Sequence, residues 1–273
     1  MIVAGSGKET FKTFNVSTAA SVLAASTGVP IVKDVSHSVS AVSGAADVLD
    51  SLGVLTITEP NAVTAAVEAD GIGFISYAAF CPSYADRYDG AFPVLNPFSF
   101  FMPVAVLAVQ ASRFVYGLAH RDVRLAATTL RAVRPELGTG FAVATEISTS
   151  QIMDEWITVG IAHIAILRDG SIEVSHRAQD EPDAGWRHAV AHRSHHAANA
   201  SAVVDALSPT GHPVRAGLVE HNAALIVCAA HDGQIPDADA LARVREARRS
   251  GRAQRLLERL QHRQDRLLSC TGS

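Results

Sequence analysis

The densest chemistry-bearing stretch of this 273-residue chain lies at its start. Gly5-Ser6-Gly7-Lys8-Glu9 is followed by Thr13-Phe14-Asn15-Val16-Ser17-Thr18. Glycines let backbone N–H groups converge, and a Ser/Thr-rich helix start adds hydroxyls and the positive end of a helix dipole. That combination is a cradle for an anion such as phosphate. It is not the P-loop of nucleotide hydrolases, which needs Gly-x-x-x-x-Gly-Lys-Ser/Thr. Here Ile2 stands where the first glycine belongs, and Glu9 follows Lys8. Taken alone, the stretch would fit a plain glycine-rich turn equally well.

Other candidate groups carry less. His188, His192 and His196 recur every four residues, with His195 beside them. One helix would place them on one face as a transition-metal site, but a solvated His-rich connection is the commoner outcome. Residues 243–266 mix Arg, Glu and Gln with Leu256, Leu257 and Leu260 at helical spacing. With a net charge of −4 and a pI near 6.3, this reads as an amphipathic surface helix and excludes a nucleic-acid binder. The three cysteines, Cys81, Cys228 and Cys270, are far apart and odd in number. They form neither a disulfide framework nor a zinc spacing, which predicts a reducing, cytoplasmic compartment. The apolar stretches 98–109 and 157–167 are shorter than the roughly 20 residues that a bilayer needs. No signal peptide is evident at the start.

The elements that must position these groups alternate. Helices are predicted over 17–27 (capped by Ser17 or Thr18 and stopped at Gly28), 45–53, 61–70 and 121–133. Strands are predicted over 29–33, 73–77 and 141–145, and a hairpin over 161–167 and 171–175 turning at Asp169-Gly170. Residues 176–195 read as an irregular connection. The last third reads as helices over 195–207, 216–230 and 237–268. Ala, Val, Ser, Thr and Gly dominate 15–70, which predicts close helix–strand packing. The fold class is α/β, with a layered sheet.

Two segments extend the glycine loop. One is Lys33-Asp34-Val35-Ser36-His37 with Ser40, Ser43-Gly44 and Asp47 behind it. The other is Gly71-Ile72-Gly73-Phe74 with Ala79-Phe80-Cys81-Pro82. In this order they resemble the anthranilate phosphoribosyltransferase family, within the nucleoside phosphorylase/phosphoribosyltransferase superfamily. The family pattern is G-T-G-G-D, T-x-N-x-S-T, K-H-G-N-R-x-x-S-S-x-S-G, G-I-G-F, A-P-x-F-H-P and D-E. The likeness continues through Glu146-Ile147-Ser148, Asn199, His221-Asn222-Ala223-Ala224 and Ser250-Gly251-Arg252-Ala253.

The resemblance implies a central mixed β-sheet flanked by helices, as one α/β domain over 1–273 without the family's N-terminal helical domain. It implies that Gly5, Gly7, Thr13, Asn15, Ser17, Thr18, Lys33 and Ser40 bind phosphoribosyl pyrophosphate (PRPP). It assigns Mg²⁺ to Ser17 and Glu146, with Thr145 in place of the family's Asp. The acceptor side departs from the pattern. Asp34 and Ser36 replace the His and Asn that line the anthranilate pocket, and Val35 replaces the glycine between them. Arg87 is the only candidate for the arginine that grips the anthranilate carboxylate. The expectation is therefore an Mg²⁺-dependent phosphoribosyltransferase acting on an acceptor other than anthranilate, such as an aromatic amine. It would work as a homo-oligomer or with a separate helical subunit. The alternatives are a non-catalytic PRPP-binding or scaffold subunit and, more distantly, a nucleoside phosphorylase.

Overall fold

A computed structural model of the protein describes residues 1–37, 43–88, 91, 94–106, 109–232 and 238–270. Strand β1 (Ile2–Gly5) runs through the glycine loop into α1 (Val16–Ala25), followed by β2 (Ile31–Val35), α2 (Ala45–Leu52), α3 (Pro60–Asp70) and β3 (Ile72–Ser76). Three short helices come next: α4 (Tyr77–Phe80), α5 (Pro82–Tyr88) and α6 (Pro97–Ala105). The sheet resumes with β4 (Arg113–Gly117), α7 (Val123–Val133), β5 (Thr139–Ser148), β6 (Gln151–Met153), β7 (Ile161–Arg168) and β8 (Ser171–Ala178). Five helices close the chain: α8 (Ala184–Val190), α9 (His196–Leu207), α10 (Pro213–Ala230), α11 (Ala238–Arg249) and α12 (Arg252–Cys270).

The strand order is β3-β2-β1-β4-β5-β7-β8, with β6 pairing β5. The first five strands are parallel, and β7 and β8 add antiparallel. The sheet is mixed and flanked by helices, as expected. Its centre is covered on both faces, so Ile2, Val3 and Ala4 in β1 are all buried. One face carries α1, α9 and α10, and the other carries α7 with Phe114, Tyr116 and Leu118. Small residues allow the close approach read from composition: Ala19, Ala20 and Ala24 of α1 are fully buried, and α1 packs on α10.

Several elements differ from the sequence reading. The strand predicted at 29 starts at Ile31, because Pro30 precedes it. The span 176–195 contains the end of β8 and all of α8. The charged helix of the last third is two helices, because Gly251 sits at φ +74° and breaks the run. Strands β1 and β4 were not predicted. Leu125 of α7 is 52% exposed, off the face that Val123, Ala126, Ala127 and Leu130 bury. The Asp169-Gly170 hairpin is present, with φ of +46° and +80° as a two-residue turn of this kind requires.

Candidate active site

A cleft opens at the C-terminal ends of β1 and β2. There the strand order reverses between β1 and β4, the place where open α/β sheets take ligands. The glycine loop forms one wall. Gly7 adopts φ +59°, which glycine reaches without strain. The Ser6 N–H donates to the Gly117 carbonyl (2.9 Å), and its Oγ accepts from the Ala119 N–H (3.0 Å). The loop is thereby fastened to the end of β4.

Helix α1 enters this wall without a side-chain cap. Asn15 occupies the N-cap position, makes no capping bond, and leaves its buried Oδ1 without a partner. Ser17 lines the cleft in the first turn. Thr18 does not. It is turned into the core, 1% exposed, with an unpartnered hydroxyl.

Three carboxyl groups meet the loop. The Gly7 N–H donates to Asp154 Oδ2 (3.4 Å), Thr13 Oγ1 donates to Glu155 Oε1 (3.0 Å), and Lys12 Nζ pairs with Glu9 Oε1 (3.2 Å). Burial pushes Glu9 up to about 7 and raises Asp154 and Glu155, and the Asp154 charge adds to the shift at both glutamates. Glu9 Oε2 and Glu155 Oε2 are buried without a hydrogen-bond partner. An electrostatic load of this kind calls for a proton or a cation.

The acidic pair is held firmly. Thr145 Oγ1 donates to the Glu155 carbonyl (2.7 Å), and Asn222 bonds both the N–H and the carbonyl of Trp156 (3.0 and 2.9 Å). A Cβ on Gly117 would overlap the Asp154 carbonyl, and one on Gly5 would lie 3.0 Å from Asp154 Oδ2. Both glycines are needed for this close approach.

Lys33 faces the cleft from β2 at 3% exposure, and its ammonium donates to the carbonyl of Asp34 (2.6 Å). Burial lowers its pKa, opposed by the charges of Asp34 and Asp154. Beside it, burial pushes Asp34 up to about 7, and its Oδ1 has no partner. Tyr77, Tyr84 and Tyr88 line the same cleft. The Tyr77 and Tyr84 ring centres are 6.4 Å apart, and those of Tyr84 and Tyr88 are 5.0 Å apart.

The structure brings Gly5, Gly7, Thr13, Asn15, Ser17, Lys33, Asp34 and Ser36 together around one cleft. Ser40 lies outside the described residues. Glu146 is elsewhere: its carboxylate pairs with His163 Nε2 (2.7 Å) and Arg121 (3.0 Å), away from the cleft lining. The acidic pair of the cleft is Asp154-Glu155, beyond the β5–β6 turn, so Thr145-Glu146 was the wrong register for it. The Asp-Glu dipeptide itself was the available signal. Arg87 is exposed on α5, over the Tyr88 ring (5.9 Å), and does not line the cleft. His188, His192 and His196 do not share a helix, because α8 ends at Val190 and α9 begins at His196. Among the described residues, no group of three or more His, Cys, Asp or Glu side chains is arranged to hold a metal ion. No helix among them is long and apolar enough to cross a membrane.

Residues 2–254 match the family described as glycosyl transferase family, a/b domain. An anthranilate phosphoribosyltransferase of Mycolicibacterium gilvum is 31% identical, over 94% of this chain and 71% of its own length. One from Halobacterium salinarum is 49% identical over 78 residues, which is 29% of this chain. The chain spans 23% of that relative and 44% of one from Methanosarcina barkeri. Among solved structures, the anthranilate phosphoribosyltransferase of Thermus thermophilus superposes with a TM-score of 0.78 at 22% identity, over 97% of this chain and 77% of that one. The Saccharomyces cerevisiae enzyme, in complex with PRPP and Mg, superposes with a TM-score of 0.70 at 18% identity, over 94% and 71%.

Proposed function

The chain belongs to the anthranilate phosphoribosyltransferase family, and on that premise we propose that it transfers the 5-phosphoribosyl group of PRPP to an aromatic amine other than anthranilate. The observation that carries this reading is the pairing of an uncapped α1 N-terminus with the buried acidic pair Asp154-Glu155 across one cleft. Phosphates suit the first, and a magnesium ion bound to those phosphates suits the second.

The residues present fit magnesium. The unpartnered Glu155 Oε2 and Glu9 Oε2 are hard oxygen donors, and Ser17 adds a hydroxyl nearby. A three-donor protein cage is not required, because magnesium keeps waters and substrate phosphates as ligands. Glu155, Asp154 and Ser17 would hold it, and when bound it would spread the charge of the leaving pyrophosphate.

This chain's own residues supply the rest. The glycine loop and the start of α1 orient the phosphates, and Lys33 places a buried positive charge at the leaving group. The acceptor nitrogen attacks the anomeric carbon as the bond to pyrophosphate breaks. The proton released from nitrogen has a nearby base in Asp34, whose pKa of about 7 suits that task. An ionised Asp34 also repels an acceptor carboxylate, and Arg87 is not placed to compensate. The tyrosine trio offers an aromatic wall instead.

The test is pyrophosphate release from PRPP with aniline-type amines and with anthranilate, for the parent and for Asp34→Asn. The expected result is a preference for uncharged amines that Asp34→Asn shifts towards anthranilate. If anthranilate is the better acceptor for the parent, the acceptor reading is wrong. PRPP binding without any turnover would favour the binding-subunit alternative.

A further inference from the structure

His192 is placed where two walls of the cleft meet. The chain around it pairs with the loop before α1: the His192 N–H donates to the Lys12 carbonyl (2.9 Å), the Phe14 N–H donates to the Val190 carbonyl (3.2 Å), and Thr13 bridges Ala191. Its ring reaches further. The Ser43 backbone N–H points at His192 Nε2 (3.2 Å), and His192 Nδ1 lies 3.1 Å from the Thr13 carbonyl.

These two bonds fix the tautomer. A backbone N–H can only donate and a carbonyl can only accept. Nε2 must therefore be bare, and Nδ1 must carry the proton. The ring is a neutral link that runs from Ser43, ahead of α2, through imidazole to Thr13. From there the Thr13 hydroxyl continues to Glu155. Asn199 braces the link: its Nδ2 lies 3.3 Å from both Ser43 Oγ and His192 Nε2, and His196 Nδ1 is 2.7 Å from Ser43 Oγ.

We infer that His192 is a positioning residue that latches Ser43 to the Thr13–Glu155 side of the cleft only while its ring is neutral, so that acidification loosens the PRPP site. A proton on Nε2 would set an N–H against the Ser43 N–H and the Asn199 amide, and the Ser43 bond would be lost. The charged and titratable neighbours act in the same direction. Lys12, from the loop, and His196, at the start of α9, both disfavour a positive ring. Burial lowers its pKa from 6.5 more than either, and the Thr13 bond opposes this. The latch is thus closed at neutral pH and opens as pH falls below the ordinary histidine value.

The inference rests on the PRPP reading above, and its test separates the two. Glutamine can imitate the link, because its carbonyl accepts from Ser43 and its amide donates to Thr13. PRPP affinity is measured with Mg²⁺ for the parent, His192→Ala and His192→Gln at pH 7.5 and 5.5. At pH 7.5, His192→Ala should bind about tenfold more weakly and His192→Gln within about threefold of the parent. The parent should lose affinity relative to His192→Gln by about fivefold at pH 5.5. Amide-exchange protection at Ser43 should fall in His192→Ala and persist in His192→Gln. His192→Ala binding like the parent, or a parent-to-glutamine ratio that ignores pH, overturns the latch. If the parent binds no PRPP, the phosphoribosyl reading falls, and the Ser43 amide decides the latch: equal protection in all three proteins overturns it.

Discussion

The donor end of the cleft is fastened by hydrogen bonds to distant parts of the chain, while the acceptor end carries two short helices that bury little. At the donor end, Ser6, Gly7, Thr13, Asp154 and Glu155 each engage a partner from a distant part of the chain. At the acceptor end, α4 and α5 contain no buried residue, and Tyr84 packs against both Tyr77 and Tyr88. The difference follows from the tasks. Buried like charges fly apart unless tethered, and phosphate chemistry needs them at fixed positions. An aromatic wall binds by area and tolerates repacking. On the function proposed above, one end keeps its chemistry while the other changes its substrate.

The largest effect is expected at the acidic pair. Glu155→Gln should lower turnover by about 100-fold or more while raising Tm, because it removes a buried charge that burdens the folded chain. Pyrophosphate release and a thermal scan would check both halves. A drop in Tm would mean that the carboxylate is structural. Gly117→Ala comes next. Its Cβ overlaps the Asp154 carbonyl, so it should cost about 1–3 kcal/mol of stability and weaken PRPP binding at the same time. Denaturant unfolding and calorimetry would read the two.

The pH dependence of stability has a definite sign. Glu9 and Asp34 are shifted up to about 7 from 4.5 and 3.8. Between those values the folded chain binds more protons than the unfolded chain, so stability falls as pH rises towards 7. His163 and His192, shifted down by burial, act in the opposite direction only below about 6.5. Without ligands, Tm should be lower at pH 8 than at pH 6, and Mg²⁺ with PRPP should reverse the difference. Smaller effects are expected at the acceptor end. Tyr84→Ala should raise the acceptor KM about tenfold or less and leave PRPP affinity unchanged. Arg87→Ala should change neither, since its guanidinium stays outside the cleft.

Much of this was legible in the sequence where one segment carries its own signal. The loop from Gly5 to Ser17 announces itself by residue type and spacing, and the Lys33–Ser36 strand end by its resemblance to the family's K-H-G-N-R segment. The helices ending at Gly53 and Gly71 do too, because both glycines adopt the left-handed conformation that stops a helix. What was missed depends on contacts between segments. The place of the acidic pair depends on the short β6 strand folding back on β5, which carries 154–155 into the cleft while Glu146 stays behind with His163. The four-residue spacing of the histidines suggested a helix face, but the turn between α8 and α9 gives His192 a separate task. β1 is four residues long, too short for periodicity to reveal. The tyrosine wall arises from three turns of short helix with no periodic core face.

The fastened end of the cleft is proposed to bind PRPP together with magnesium. The most direct measurement is calorimetric titration of PRPP into the protein with and without Mg²⁺, for the parent and for Glu155→Gln. Micromolar binding, about −8 kcal/mol, that requires Mg²⁺ and is lost in the variant is expected. Binding that ignores both Mg²⁺ and Glu155, or no binding to the folded parent, would contradict it.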